Sequence, residues 1–135
     1  MVSRRRLIAA SAILPLALLP LSGAARAEGF ETRPLTVAEM QASGGVIVDI
    51  RTPEEWAETG VIEGARLVTF EGAQAFVAAL GPDLADRRDL ILVCRSGRRT
   101  AAAAEALQSM IPNRIITVEG GMGRIIGEGY QTVAP

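Results

Sequence analysis

The sequence predicts an α/β fold in which a mainly parallel central β-sheet is flanked by helices on both faces. Residues 46–50 and 90–93 are runs rich in β-branched and aliphatic residues that are too short for helices, which is typical of buried strands. A third such run follows at residues 115–118, and segments of helix-forming composition separate all three. Parallel neighbours need a crossover connection that is usually a helix, so this alternation predicts a parallel sheet covered on both sides.

A capping pattern marks the start of the first two predicted helices. Thr36 precedes Glu39 by three residues, and Thr52 precedes Glu55 by the same spacing. In a capping box the hydroxyl accepts a first-turn amide while the glutamate accepts the amide of the cap, so both helices have defined starts. Pro53 suits the first helical position because that position needs no amide donor.

Glycine and proline residues set the expected ends of the other elements, because they interrupt helices and strands. The alanine-rich stretch that follows the cysteine is a strong helix former. The expected bounds are a first helix ended by Gly44 and Gly45, a second over residues 53–58, a strand over 65–70, a helix over 72–80 ended by Gly81 and Pro82, and a helix over 98–110 stopped by Pro112.

The first 27 residues have the pattern of a cleaved export signal. Three arginines at residues 4–6 precede an apolar run over residues 7–21, and Ala25 and Ala27 provide the small residues that signal peptidase needs. The run is shorter than the about 20 residues of a membrane-spanning helix. Its arginines are compatible with twin-arginine export and with the general secretory route. We therefore expect a signal peptide over residues 1–27, a single domain over residues 28–135, a periplasmic or secreted location, and no stable membrane association after cleavage.

The composition excludes several kinds of active site. The 135 residues include no histidine and one cysteine, and all 14 basic residues are arginine. Ser-His-Asp triads, Cys-His pairs and histidine-rich metal sites are therefore ruled out, and we expect neither a metal ion nor another cofactor. Four of the arginines and none of the 15 acidic residues precede residue 28, so the expected mature domain has a formal net charge of −5. Such a mildly acidic domain is expected to be a monomer that does not bind nucleic acid.

The cysteine begins a loop between a predicted strand and a predicted helix. This cysteine loop, residues 94–100, has the sequence Cys-Arg-Ser-Gly-Arg-Arg-Thr and contains no acidic residue. Ligands of parallel sheets bind where strands end, and the amides of a tight loop and a helix start form a concave anion site. This positive field favours a reactive thiolate at Cys94 without a histidine base, whereas an isolated cysteine is more often a small buried apolar residue.

The cysteine loop resembles the active-site loop of single-domain rhodaneses, which are sulfurtransferases that carry sulfur as a cysteine persulfide. The resemblance rests on the four residues between Cys94 and Arg99 and on the threonine that follows. It covers roughly residues 33–133. Further similar segments are residues 48–51 with Glu55 and Trp56, residues 60–65, and residues 120–122 with Gly129 and Tyr130. The sequence departs from the family at Val61, Ile125 and Gln131, where histidine, tryptophan and proline are common.

The resemblance implies a rhodanese-like domain with thiosulfate sulfurtransferase activity. Cys94 would take sulfane sulfur from a small anionic donor such as thiosulfate and pass it to a thiophilic acceptor, either cyanide or a thiol. The amides of residues 95–99, which include Ser96 and Gly97 in the binding site, would stabilise the terminal sulfur. Thr100 would support the loop.

The resemblance also assigns roles to the charged residues near the loop. Arg95 and Arg98 would hold the donor at the loop mouth, although solvated surface charge is the alternative. Arg99 would bind the donor and brace the loop from behind. Asp49 is a candidate partner for that bracing, but it is equally suited to cap a helix or to pair with Arg51, the other expected loop support.

The sequence leaves other functions open, and the cysteine loop disfavours two of them. Phosphatase and arsenate-reductase relatives of this fold need one more residue between cysteine and arginine, and here that spacing falls on Thr100. Mercaptopyruvate sulfurtransferases usually have fewer arginines in the loop. The remaining alternatives are a noncatalytic rhodanese-like module that binds a partner or senses sulfur anions, and a persulfide relay to a protein acceptor.

Overall fold

The structure is a computed structural model that describes residues 29–135, and it confirms the predicted fold class. Five strands form a single parallel sheet that is covered by helices. The predicted signal peptide, residues 1–27, lies outside the described residues, so the expected domain boundary stays a prediction. In chain order the elements are β1 (Glu31–Arg33), α1 (Val37–Ala42), β2 (Val46–Asp49), α2 (Pro53–Thr59), β3 (Arg66–Leu67), α3 (Ala73–Leu84), β4 (Leu90–Val93), α4 (Arg98–Leu107), β5 (Ile115–Val118) and α5 (Gly121–Gly127).

The sheet has the strand order β1-β5-β4-β2-β3, which places β4 in the middle. Within the β2–β4 pair, Asp49 lies opposite Val93. Because all the strands run in the same direction, their carboxyl ends share one edge of the sheet. Cys94 directly follows β4, so the cysteine loop begins at the centre of this edge.

Two apolar layers cover the two faces of the sheet, as the predicted α/β fold requires. Alternate strand residues such as Val48 and Leu92 pack against Phe76 and Leu80 of α3 and against Leu107 of α4. The other strand residues pack against α1 and α5 through a second cluster: Ile47, Ile91, Val93, Ile116 and Val118 with Val37, Met40, Met122 and Ile125. Helix α2 contributes no buried residue to either layer.

The predicted end of helix α3 at residue 80 is wrong, because the helix continues through Gly81 and Pro82 to Leu84. Phe76, Leu80 and Leu84 are buried and recur every four residues, so packing extends the apolar side of the helix by one more turn. Gly81 and Pro82 lie exposed on the other side. Proline has no amide proton, so one carbonyl of the preceding turn has no hydrogen-bond partner in the helix. That carbonyl is on the solvent side, where water can bind it.

Two other predicted elements are shorter than expected. Helix α4 ends at Leu107, its last buried residue, and not at residue 110, because the three residues that follow are exposed and gain nothing from packing. The strand predicted over residues 65–70 is reduced to Arg66–Leu67. Its neighbour β2 ends at Asp49, so beyond Leu67 the backbone makes only single hydrogen bonds, from Val68 to Asp49 and from Phe70 to Ile50.

The sequence analysis did not predict β1 and α5. The three residues of β1 are all exposed at the sheet edge and carry no apolar pattern. Three glycines in α5 give it low helix propensity, and its position is fixed by the burial of Met122 and Ile125. No helix within residues 29–135 is long and apolar enough to cross a membrane.

Candidate active site

The Cys94 sulfur lies inside the first turn of the cysteine loop. The amide of Gly97 donates to Sγ at 3.1 Å, and Thr100 Oγ1 lies 3.7 Å from the same sulfur. Thr100 also donates its hydroxyl proton to the Gly97 carbonyl at 2.9 Å, which closes the turn. Gly97 has a φ of 102°, a conformation that side chains disfavour. Glycine at this position therefore lets an amide reach the sulfur.

The first turn of α5 holds the opposite side of the loop through backbone contacts. The amide of Met122 donates to the Cys94 carbonyl at 2.7 Å, and that of Gly123 donates to the Arg95 carbonyl at 3.0 Å. Gly121 permits this approach, because a Cβ there would lie 2.3 Å from the Cys94 carbonyl oxygen. Gly121 is therefore needed for this close packing as well as for the turn before Met122.

These contacts also determine which way the loop amides point. Because the peptide bonds are trans, each carbonyl held by α5 directs the following N–H to the opposite side, away from α5. The amides of Arg95, Ser96, Arg98 and Arg99 donate to no protein acceptor within residues 29–135. Together with the amide on the Cys94 sulfur, they form a set of donors suited to an anion.

The three loop arginines have different environments. Arg95 and Arg98 are exposed, as is Ser96, and neither arginine forms an ion pair with any residue in the range 29–135. Arg99 instead makes a two-pronged ion pair with Glu55, with both N–O distances at 2.7 Å. Free positive charge at the loop mouth therefore comes from Arg95 and Arg98.

Glu55 lies between the cysteine loop and the start of α2. Its Oε2 accepts the backbone amide of Thr52 at 3.0 Å, and its own amide donates to Thr52 Oγ1 at 3.3 Å, which is the predicted capping box. The hydrogen bond from Arg99, together with the bond from the Thr52 amide, lowers the pKa of Glu55 from its usual 4.5 to about 2. The pKa of Arg99 is raised, first by the hydrogen bond to Glu55 and to a smaller extent by the charges of Cys94 and Asp49.

Asp49 pairs with Arg51 and not with Arg99. Arg51 donates from Nε and Nη2 to the carboxylate at 2.8–3.1 Å, and both side chains are buried. Its remaining donors reach Thr59 Oγ1 and the Gly60 carbonyl at the end of α2. Of the alternatives for Asp49, the structure therefore selects the pair with Arg51 and assigns the bracing of Arg99 to Glu55.

Sequence reasoning missed Glu55 and α5 as parts of this site. The sequence indicates Glu55 only as a capping residue, and its spacing from Arg99, 44 residues away, gives no sign of the ion pair. The two consecutive glycines before Met122 were the available sign of a close backbone approach. Val61 and Ile125, the departures from the family pattern, are buried, and Gln131 is exposed.

Cys94 itself is fully buried, with 0% of its surface exposed. Such shielding limits the access of oxidants to the thiol. A surface groove lined by Phe30, Gln108 and Ile111 lies at the opposite edge of the sheet and includes no loop residue. Residues 29–135 contain no cluster of His, Cys, Asp or Glu side chains placed to hold a metal ion.

Known proteins resemble this chain in sequence and, in two solved structures, also in fold. A sulfurtransferase of Allochromatium vinosum is 31% identical over 90 residues, which is 67% of this chain and 79% of that protein. The solved structure of a rhodanese-related protein from Thermoplasma volcanium has 26% identity and a TM-score of 0.59 and covers 76% of this chain and 99% of its own. A Rhodopseudomonas palustris protein of unknown function, named as a possible tyrosine phosphatase, has 28% identity and a TM-score of 0.63, with coverages of 77% and 85%.

The family match extends over nearly all of the sheet and includes the whole cysteine loop. Residues 34–127 match the rhodanese-like domain. The match and the Allochromatium relative together support a sulfurtransferase-type family. The chain belongs to the family of rhodanese-like domains.

Proposed function

We propose that this protein is a sulfurtransferase that moves sulfane sulfur from a thiosulfate-like donor to a thiophilic acceptor through a Cys94 persulfide. The proposal rests on the surroundings of the Cys94 sulfur. It accepts the Gly97 amide at 3.1 Å, and the amides of Arg95, Ser96, Arg98 and Arg99 have no protein acceptor within residues 29–135. Donors of this kind stabilise negative charge on the sulfur that a persulfide places beyond Sγ.

In the first half-reaction the Cys94 thiolate attacks the outer sulfur of thiosulfate. A bond forms between Sγ and that sulfur, the sulfur–sulfur bond of thiosulfate breaks, and its electron pair leaves with sulfite. One negative charge then resides on the terminal persulfide sulfur, so charge is conserved. The exposed Arg95 and Arg98 attract the dianionic donor and stabilise the departing sulfite.

In the second half-reaction an acceptor removes the terminal sulfur. Cyanide attacks that sulfur, a carbon–sulfur bond forms, and the electron pair of the persulfide bond returns to Cys94 as thiolate. A thiol acceptor reacts in the same way to form its own persulfide. Neither step needs a metal ion, a redox cofactor or a histidine base, and the two steps give ping-pong kinetics.

The geometry of Thr100 favours sulfur transfer over the phosphatase activity named for the Rhodopseudomonas structure. Phosphatase relatives need their arginine one position later than Arg99, and that position is taken by Thr100, whose hydroxyl closes the turn beneath the sulfur. The arginine that is present is bound to Glu55.

Mass spectrometry of the purified protein after incubation with thiosulfate tests the proposal. We expect a gain of one sulfur atom on Cys94, loss of that gain on addition of cyanide, and no gain in Cys94→Ser. A protein that gains no sulfur from thiosulfate, mercaptopyruvate or polysulfide is a noncatalytic module, which contradicts the proposal. A persulfide that forms but is not discharged by cyanide or small thiols indicates a relay to a protein acceptor.

The anion-binding role of the loop mouth has a separate test. Arg98→Ala should raise the KM for thiosulfate about fivefold, because it removes one of two unpaired charges beside the thiol. Arg87→Ala is the matched control, since Arg87 is also exposed but lies after α3, away from the loop. Equal KM values for the two variants would assign Arg98 to solvated surface charge.

We also propose that the domain works outside the cytoplasm after removal of residues 1–27. The support is the sequence pattern of the amino terminus. Amino-terminal sequencing should show that the mature protein begins at residue 28.

The export route has its own test. Replacement of Arg4 and Arg5 by lysine should block export if the route is the twin-arginine one and should leave it intact if the route is the general secretory one.

A further inference from the structure

The Arg99–Glu55 contact joins the cysteine loop to a different part of the chain. Arg99 is in the first turn of α4, and Glu55 is in the first turn of α2. Nη1 and Nη2 of Arg99 each donate to a different Glu55 carboxylate oxygen at 2.7 Å, so the planar groups face each other as a two-pronged pair. The pair fixes the direction of the Arg99 side chain.

The carboxylate is itself held in place before it meets Arg99. The capping box with Thr52 orients Glu55, and 18% of its side chain is exposed, against 44% for Arg99. The more buried, hydrogen-bonded carboxylate therefore acts as the fixed member, and the arginine is drawn to it.

The pair also changes the charge presented to an approaching anion. Arg99 is in the cysteine loop next to Thr100, whose Oγ1 lies 3.7 Å from the Cys94 sulfur, so its charge is near the thiol. With Glu55 beside it, Arg99 contributes little net charge at the loop mouth, whereas Arg95 and Arg98 remain unpaired within residues 29–135.

We propose that Glu55 is a positioning residue for sulfur transfer that holds Arg99 in a neutral pair, so that the charge of the donor is met by Arg95 and Arg98. In the absence of the Glu55 carboxylate, Arg99 becomes a third free cation beside Cys94. Glu55 thereby sets how strongly the thiol prefers anionic reagents over neutral ones. The kinetic consequence rests on the proposed sulfurtransferase function, but the charge effect does not.

Alkylation of the sole cysteine measures this charge effect directly. Iodoacetate is an anion and iodoacetamide is neutral, and both can modify only Cys94 in this chain. We expect Glu55→Gln to raise the ratio of the iodoacetate rate to the iodoacetamide rate about threefold, as one nearby unit charge does in a water-like medium. Arg99→Gln, which leaves the carboxylate uncompensated, should lower the ratio by a similar factor. The double variant should return to within about 1.5-fold of the wild-type ratio.

The choice of variants separates charge from folding. Glutamine also serves as the third residue of a capping box, so Glu55→Gln keeps the start of α2. Glu54→Gln removes the same charge from the next position, which is exposed and has no ion pair within residues 29–135, and should leave the ratio unchanged. Thr52→Ala removes the cap hydroxyl but keeps the backbone amide that donates to Glu55 Oε2, so the carboxylate stays oriented and the ratio should also be unchanged.

Two outcomes would overturn the proposal. If Glu55→Gln accelerates both reagents equally, the residue only stiffens the loop. If the ratio does not change, Arg99 carries no shielded charge near the thiol.

Steady-state kinetics test the same effect on sulfur transfer: the KM for thiosulfate should fall about threefold in Glu55→Gln and rise in Arg99→Gln. Alkylation proceeds without sulfur transfer, so a changed ratio with no persulfide formation would refute the proposed function and retain the charge effect.

Discussion

Two arginine–carboxylate pairs lie at the carboxyl edge of the sheet, and they differ mainly in burial. The Asp49–Arg51 pair has side chains that are 0% and 1% exposed, and Arg51 makes two further hydrogen bonds to the end of α2. The Glu55–Arg99 pair is partly open to solvent, with Arg99 44% exposed. Both pairs use two-pronged geometry, so the difference between them comes from their surroundings.

Burial assigns the two pairs different tasks. A charge in the interior needs its partner, because an unpaired buried ion is very costly, so Asp49 and Arg51 hold α2 against β2. A half-exposed pair contributes little to stability, since water and salt screen it. The pair can therefore set the charge near the thiol with little effect on stability, which is the role we propose for Glu55.

The largest expected effect is on the buried pair. Arg51→Met leaves the Asp49 carboxylate in the interior without a partner and should lower the free energy of unfolding by about 3–5 kcal/mol. Urea unfolding followed by circular dichroism measures the change. Arg114→Met is the matched control, because Arg114 forms an exposed pair with Asp89 and should change the free energy by less than about 1 kcal/mol. Similar losses in the two variants would mean that burial does not distinguish these ion pairs.

A smaller effect is expected for the half-exposed pair, and it depends on pH. Glu55→Gln should lower the free energy of unfolding by about 1 kcal/mol near neutral pH, because solvent around Arg99 screens the pair. The pKa of Glu55 is lowered from 4.5 to about 2 in the folded state. The stabilisation is therefore complete above pH 4.5 and is lost as the pH falls through about 2.

Urea unfolding of both proteins across this acid range tests the sign of the effect. The difference between wild type and Glu55→Gln should shrink steadily from pH 4.5 towards pH 2. Glu54→Gln, whose carboxylate has no ion-pair partner in the described part of the chain, is the control and should show no such trend. A difference that grows in acid would contradict the lowered pKa of Glu55.

The sequence predicted the layers of the fold because those depend on local patterns. The buried runs of β2, β4 and β5 and the capping boxes of α1 and α2 all lie where residue type and spacing placed them. The elements it missed or misplaced depend on tertiary packing. Helix α3 passes through Pro82 because Leu84 has a place in the core, and α5 forms because its glycines fit against the cysteine loop.

The site was predictable to a similar extent and for the same reason. Cys94, Gly97 and Thr100 are close in sequence, so a single loop motif places them together. The partner of Arg99 lies 44 residues away, and two carboxylates, Asp49 and Glu55, both end up on the same edge of the sheet. Only the register of the strands and the start of α2 decide which of them meets Arg99, and a sequence read alone does not fix that choice.

The smallest expected effect is the response of the two pairs to salt. Raising sodium chloride from about 0.1 M to about 1 M shortens the screening length from about 10 Å to about 3 Å. The difference in unfolding free energy between wild type and Glu55→Gln should then narrow by a few tenths of a kcal/mol, roughly 0.3. The difference between wild type and Arg51→Met should stay constant, because salt does not enter the interior. General effects of salt on stability cancel in these differences. Equal narrowing in both would mean that the Asp49–Arg51 pair is open to solvent during normal fluctuations, and the division of tasks between the two pairs would then be lost.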